Sequence, residues 1–196
     1  ISSTMKELAL FPLNSFILPE GRMRLRVFER RYVRLVSEAS AGKRDFALSL
    51  INPYVSKQHT DRILPLATRV KIEDFEQLED GLLGITIAGI ERVKITERWQ
   101  EADQLHVAMT EPMENWATTD VNAEYTPLIR QLQKLLQEYP ALNQLYPTPK
   151  YTDAAWLASR WLELIPMQPA LKQKLAQENS PSPCLDSLQA WLSHQA

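Results

Sequence analysis

The apolar residues of this chain change period for good between Glu111 and Asn122, and that change limits the folds open to it. Before it the spacing is two. In Arg22-Met23-Arg24-Leu25-Arg26-Val27 three arginines alternate with apolar residues, the pattern of a strand with one wet and one buried face. Val70 and Ile72 alternate with Arg69, Lys71 and Glu73, and Ile85 and Ile87, Val93 and Ile95, and Leu105, Val107 and Met109 repeat the spacing. Phe46 to Ile51 is a compact apolar run, and Glu79-Asp80-Gly81 supplies hairpin chemistry before Leu82 to Ala88. One helix interrupts the strands. Tyr32, Leu35, Val36 and Ala39 fall at i, i+3, i+4 and i+7, which predicts a helix from about Glu29 to Ala41 with Gly42 as its C-terminal stop. Several short strands with one early helix point to a closed or nearly closed β-barrel, because closure removes exposed strand edges.

After the change the spacing is helical. Tyr125, Leu128, Ile129, Leu132, Leu135, Leu136 and Tyr139 keep one face over almost four turns, and Pro140 ends the run. Asp153 suits the cap of a helix carrying Trp156, Leu157, Trp161, Leu164 and Ile165, which stops at Pro166. Pro169 fits the first turn of a helix with Leu171 and Leu175; Ser182 as cap and Pro183 as first residue open a last one with Leu185, Leu188, Trp191 and Leu192. The expected architecture is therefore α+β: a β-barrel domain over residues 5–115 and a helical domain, a bundle, over residues 123–196. There is no internal repeat and no low-complexity tract.

Composition narrows the function. With 44% hydrophobic and 23% charged residues the chain is neither disordered nor fibrous. Its 22 basic and 24 acidic side chains leave a formal charge of −2, so no global attraction draws it to phosphate. Cys184 is the single cysteine, which excludes an intrachain disulfide and fits a reducing compartment. No apolar run is long enough to span a bilayer, and the start does not read as a signal peptide. The expected location is the cytoplasm.

Three pieces of sequence carry a family resemblance. Leu10-Phe11-Pro12-Leu13, then Leu18-Pro19-Glu20-Gly21, then Leu25-Arg26-Val27-Phe28-Glu29-Arg30-Arg31-Tyr32 resemble the opening signature of the amino-terminal domain of Lon proteases. Ala67-Thr68-Arg69-Val70 and the stretch from Asp80-Gly81-Leu82-Leu83 through Gly89-Ile90-Glu91-Arg92-Val93 resemble later strands of that domain, with alanine for a glycine and valine for a phenylalanine. Leu162-Glu163-Leu164-Ile165-Pro166 and Lys172-Gln173-Lys174-Leu175 resemble its closing helices, whereas Pro183-Cys184-Leu185 departs from the usual Arg-Leu pair. The resemblance implies a PUA-like barrel followed by helices. It implies a non-catalytic module that recognises substrate polypeptides, here free-standing and without the ATPase and peptidase modules.

Gly84 and Gly89 have phosphate-loop spacing but lead into Ile90-Glu91, and Gly42-Lys43 lacks the upstream glycine. His59, His106 and His194 are far apart, without metal-ligand spacing, and read as exposed or edge residues. Cys184 reads as a buried, inert thiol. No catalytic, metal or cofactor-binding residue is expected, and no cofactor. In Phe28-Glu29-Arg30-Arg31-Tyr32 the expected role is structural: Phe28 and Tyr32 packing under the early helix, Glu29 at its N-terminus, the arginines facing water. For polypeptide binding, Trp99 near the end of the strands and Trp116 in the boundary segment are the candidates to line an expected groove between barrel and bundle, set against core packing for each. Two other functions stay open: RNA binding, with Arg22, Arg24 and Arg26 as a local stripe, and small-ligand binding. Oligomeric state is not legible.

Overall fold

The computed structural model describes residues 4–194, so the last two residues of the expected helical domain lie outside it. The described chain divides into two compact units, on either side of the Asn115–Trp116 peptide bond. The first is a mixed unit. It runs β1 (Lys6–Leu13), β2 (Arg22–Val27), α1 (Arg30–Ser40), β3 (Phe46–Ile51), β4 (Ile63–Gln77), β5 (Leu83–Gln100) and β6 (His106–Pro112). The six strands form one sheet in the order β2-β5-β4-β3-β1-β6, and β6 also pairs with β5. All pairs are antiparallel except β1 with β3, which the intervening β2 and α1 allow by carrying the chain back to its starting edge.

The length of β5 is what brings its two ends to different neighbours. Its first part, Leu83 to Ala88, pairs with β2, and its last, Val93 to Gln100, pairs with β6. Val93 and Ile95, read from the sequence as a repeat of the pattern after Gly89, thus belong to the same strand as Ile85 and Ile87. Gly89 does not end it. The register against β4 slips there, with Arg69 opposite Glu91 but Val70 opposite Gly89. Such a bulge moves later residues to the other face, so Ile85 and Ile87 join one apolar cluster and Val93 another. The glycine is required by proximity: an added Cβ would stand 2.3 Å from the carbonyl oxygen of Leu18. Backbone N–H groups of Glu20 and Gly89 donate to Gly89 and Gly21 at 2.9 and 2.8 Å, tying the Pro19-Glu20-Gly21 turn to β5.

β1 is covered on both faces. Ala9 and Phe11 pack with Leu35, Phe46, Ile87 and Leu105, while Leu8 and Leu10 pack with Ala47, Ala67 and Val93. Helix α1 follows the sequence reading closely, with Tyr32, Leu35 and Val36 buried and Gly42 at φ +74° beyond its end. Arg34 on its outer face donates to Asp103 at 2.8 Å and to Glu101 at 2.9 Å. That bond holds the Asp103 carboxyl down at about 2 and fastens α1 to the β5–β6 turn.

The second unit is helical: α2 (Thr126–Glu138), α3 (Pro140–Asn143), α4 (Ala154–Leu164), α5 (Pro169–Ala176) and α6 (Ser182–His194). Helix α4 packs against α2, α5 and α6 and is buried almost all round. The Asp153 carboxylate accepts from the Ala155 N–H at 3.1 Å as its cap, and Trp161 donates to the Leu128 carbonyl at 2.9 Å. Arg160, inside this unit, donates to Glu163 through two bonds of 2.7 and 2.8 Å and lies against the rings of Tyr146 and Trp156. Some expected positions differ. Tyr139 and Leu171 are exposed rather than buried, because each sits at a helix end where the packed stripe has run out. Pro140 both ends α2 and begins α3, and Ser182 lies within α6 rather than before it.

Candidate functional site

A cleft of about 670 Å³ opens on the first unit, and every residue that lines it belongs to that unit. Four segments build it: the end of β1, the junction of β2 with α1, the loop between β3 and β4, and the end of β5 with the start of β6. Its buried lining includes Phe11 and Tyr32, stacked at 4.3 Å between centroids. The Arg31 guanidinium covers the Tyr32 ring at 4.8 Å and donates to Glu29 and to the Gln104 carbonyl, both at 3.1 Å.

Phe28 corrects the sequence reading. Tyr32 does pack under α1, but Phe28 is 68% exposed and lines the cleft. Strand parity explains it. Leu25 and Val27 point inward, so Arg24, Arg26 and Phe28 share the outward side. The same alternation that placed the arginines in water would have placed Phe28 there, had it been counted with the strand rather than the helix. Trp99, one of the two groove candidates, is 36% exposed near the end of β5 and lines the cleft as well. Trp116 belongs to the second unit, where its indole N–H donates to the Glu178 carbonyl at 2.7 Å.

His106 is expected to be exposed or at an edge. It is half-buried in the cleft lining, its Nδ1 has no hydrogen-bond partner among the described residues, and burial, then the positive charges of Arg98 and Arg31, push it down to about 4. An imidazole this weakly basic is neutral at pH 7 and is a poor general base. His59 caps the short 3₁₀ turn Thr60–Arg62, its Nδ1 accepting from the Asp61 N–H at 3.0 Å, and His194 is exposed. Cys184 lies in the other unit, fully buried, its thiol raised to about 12 by burial and facing the Ala158 carbonyl. The cleft therefore joins aromatic surface to charge. Among the described residues, no group of three or more His, Cys, Asp or Glu is placed to hold a metal ion, and no helix is long and apolar enough to cross a membrane.

The loop Asn52 to Arg62 is held in shape by its own backbone and by two arginines. The Asn52 N–H donates to the Arg62 carbonyl at 2.8 Å, Arg62 donates to the carbonyls of Asn52 and Val55 at 3.1 Å, and Arg98 on β5 donates to the Thr60 carbonyl at 2.8 Å. Arg22 and Arg26 of the expected stripe face Glu73 and Asp80.

Comparison with known proteins agrees with this architecture. No curated protein matches the chain. Among solved structures, the crystal structure of a Lon N-terminal domain protein from Xanthomonas campestris superposes with a TM-score of 0.74 at 29% identity, over 94% of this chain and 98% of that one. The N-terminal domain of the Mycobacterium avium complex Lon protease gives 0.65 at 17% identity, over 96% and 98%, a likeness of fold alone. The sequence model of the family described as the ATP-dependent protease La (LON) substrate-binding domain matches residues 7–194, and the chain belongs to that family.

Proposed function

We propose that the chain is a non-catalytic binding module that holds polypeptide segments in the cleft of its first unit. The observation that carries this is the pair of exposed aromatics, Phe28 and Trp99, on one concave surface of about 670 Å³, a size typical of ligand sites. The family's description as a substrate-binding domain supports it. Covering on the order of 200 Å² of aromatic surface contributes about 5 kcal/mol before the costs of association. That suits weak, reversible capture of a short segment. We read the ladder of strands that returns to β5 as a small PUA-like barrel and the helical unit as a bundle, in domains of 5–115 and 123–196, working in the cytoplasm.

The test is fluorescence anisotropy with labelled ten-residue peptides that each carry one aromatic side chain. Phe28→Ser and Trp99→Ser should each weaken binding about tenfold or more, as loss of an interfacial aromatic does, with circular dichroism unchanged. Trp116→Ala, in the second unit, is the comparison and should bind as the wild type does. Equal binding by wild type, Phe28→Ser and Trp99→Ser removes the cleft from the proposal.

A further inference from the structure

Many cations of the first unit are paired with acids. Arg22, Arg26, Arg34, Arg44 and Arg69 each face a carboxylate, respectively Glu73, Asp80, Asp103, Glu101 and Glu91. Three cations of the cleft lining do not. Arg98 and Arg62 donate to carbonyl groups, which satisfy N–H donors but cancel no charge, and Lys57 makes no ion pair among the described residues. The lining holds one carboxylate, Glu29, already bonded to Arg31 at 3.1 Å. Asp61, on the same loop, is exposed, nearest to His59 at 3.9 Å, and outside the lining. In a chain of net charge −2 the cleft lining thus carries three cations that face no carboxylate.

Resting on the reading of the cleft as a polypeptide site, we propose that it selects acidic segments: Asp or Glu side chains of the bound segment pair with Lys57, Arg62 and Arg98 while a neighbouring apolar side chain lies against Phe28 and Trp99. Charge complementarity favours a peptide over RNA. A peptide can place two or three carboxylates inside the cleft and continue as neutral chain, whereas a phosphate backbone carries its charge along the rest of a chain that has 24 acidic and 22 basic side chains. The paired state of Arg22 and Arg26 removes two of the three residues of the stripe that RNA would follow.

The experiment uses the full chain and acetylated, amidated ten-residue peptides, so that no terminal charge contributes. One aromatic residue is flanked by Asp and Glu, by Asn and Gln, or by Lys; a labelled single-stranded RNA 12-mer is the fourth probe. The acidic peptide should bind about tenfold tighter than the neutral one and the lysine peptide more weakly still, a preference that shrinks with added salt. Arg98→Gln should reduce the preference, and Lys57→Glu, a charge reversal on an exposed loop, should abolish it. Equal affinity for acidic and neutral peptides overturns the selectivity and leaves the polypeptide reading standing. Binding of no peptide, or of RNA alone, overturns both.

Discussion

Gly89 shows how much of this fold hangs on single atoms. Its missing side chain admits the Leu18 carbonyl, a backbone group that cannot rotate away. Gly89→Ala should therefore cost about 2 kcal/mol or more, as forced overpacking does, read as a lower urea midpoint; an unchanged midpoint would mean that the turn at Pro19-Glu20-Gly21 can move. His106 gives a prediction in pH. Folded, it titrates at about 4 against an ordinary 6.5, so between those values the unfolded chain binds the proton more readily. The stability tied to neutral His106 is complete above pH 6.5 and is lost as pH falls towards 4. Urea midpoints at pH 7 and pH 5 should differ less in His106→Gln than in wild type. Both residues are visible in the sequence, but neither role is: the glycine's neighbour lies 71 positions away at Leu18, and the burial of His106 comes from segments that only the fold assembles. Phe28 differs, since period two already placed it outward and only the choice of element concealed it.

At the scale of elements, the strands and helices with one buried face were the legible ones. β2, α1 and α2 announce themselves because polar residues mark their wet sides. β1 does not, since Leu8, Ala9, Leu10 and Phe11 are all buried and the alternation that would mark a strand is absent. The single long β5 was hidden by its bulge, which interrupts the pattern without interrupting the strand. In the helical unit α4 makes a ranking that stability measurements can check. Glu163→Ala leaves the buried Arg160 guanidinium without its carboxylate and should cost about 3–5 kcal/mol. Asp153→Ala removes only a cap and should cost about 1 kcal/mol. Thermal unfolding that ranks the two the other way would contradict the account of α4 as the centre of its unit.

At the scale of the molecule, one change of hydrophobic period separated the strand-rich residues from the helical ones, and the opening motifs named the family. The cleft was not legible, because its lining joins residues from Phe11 to His106 that no local pattern groups together. Trp99 stands out in the sequence as an aromatic near the end of the strands, and Phe28 lines the cleft with it. The account's central claim is that this surface, on the first unit, receives a polypeptide. The direct measurement is a two-dimensional NMR titration with an acidic, aromatic-containing peptide, followed at the indole N–H signals of the five tryptophans. The signal of Trp99 should move with the backbone amides of Phe28 and its neighbours; a Trp99 signal that stays fixed while the peptide binds would contradict it.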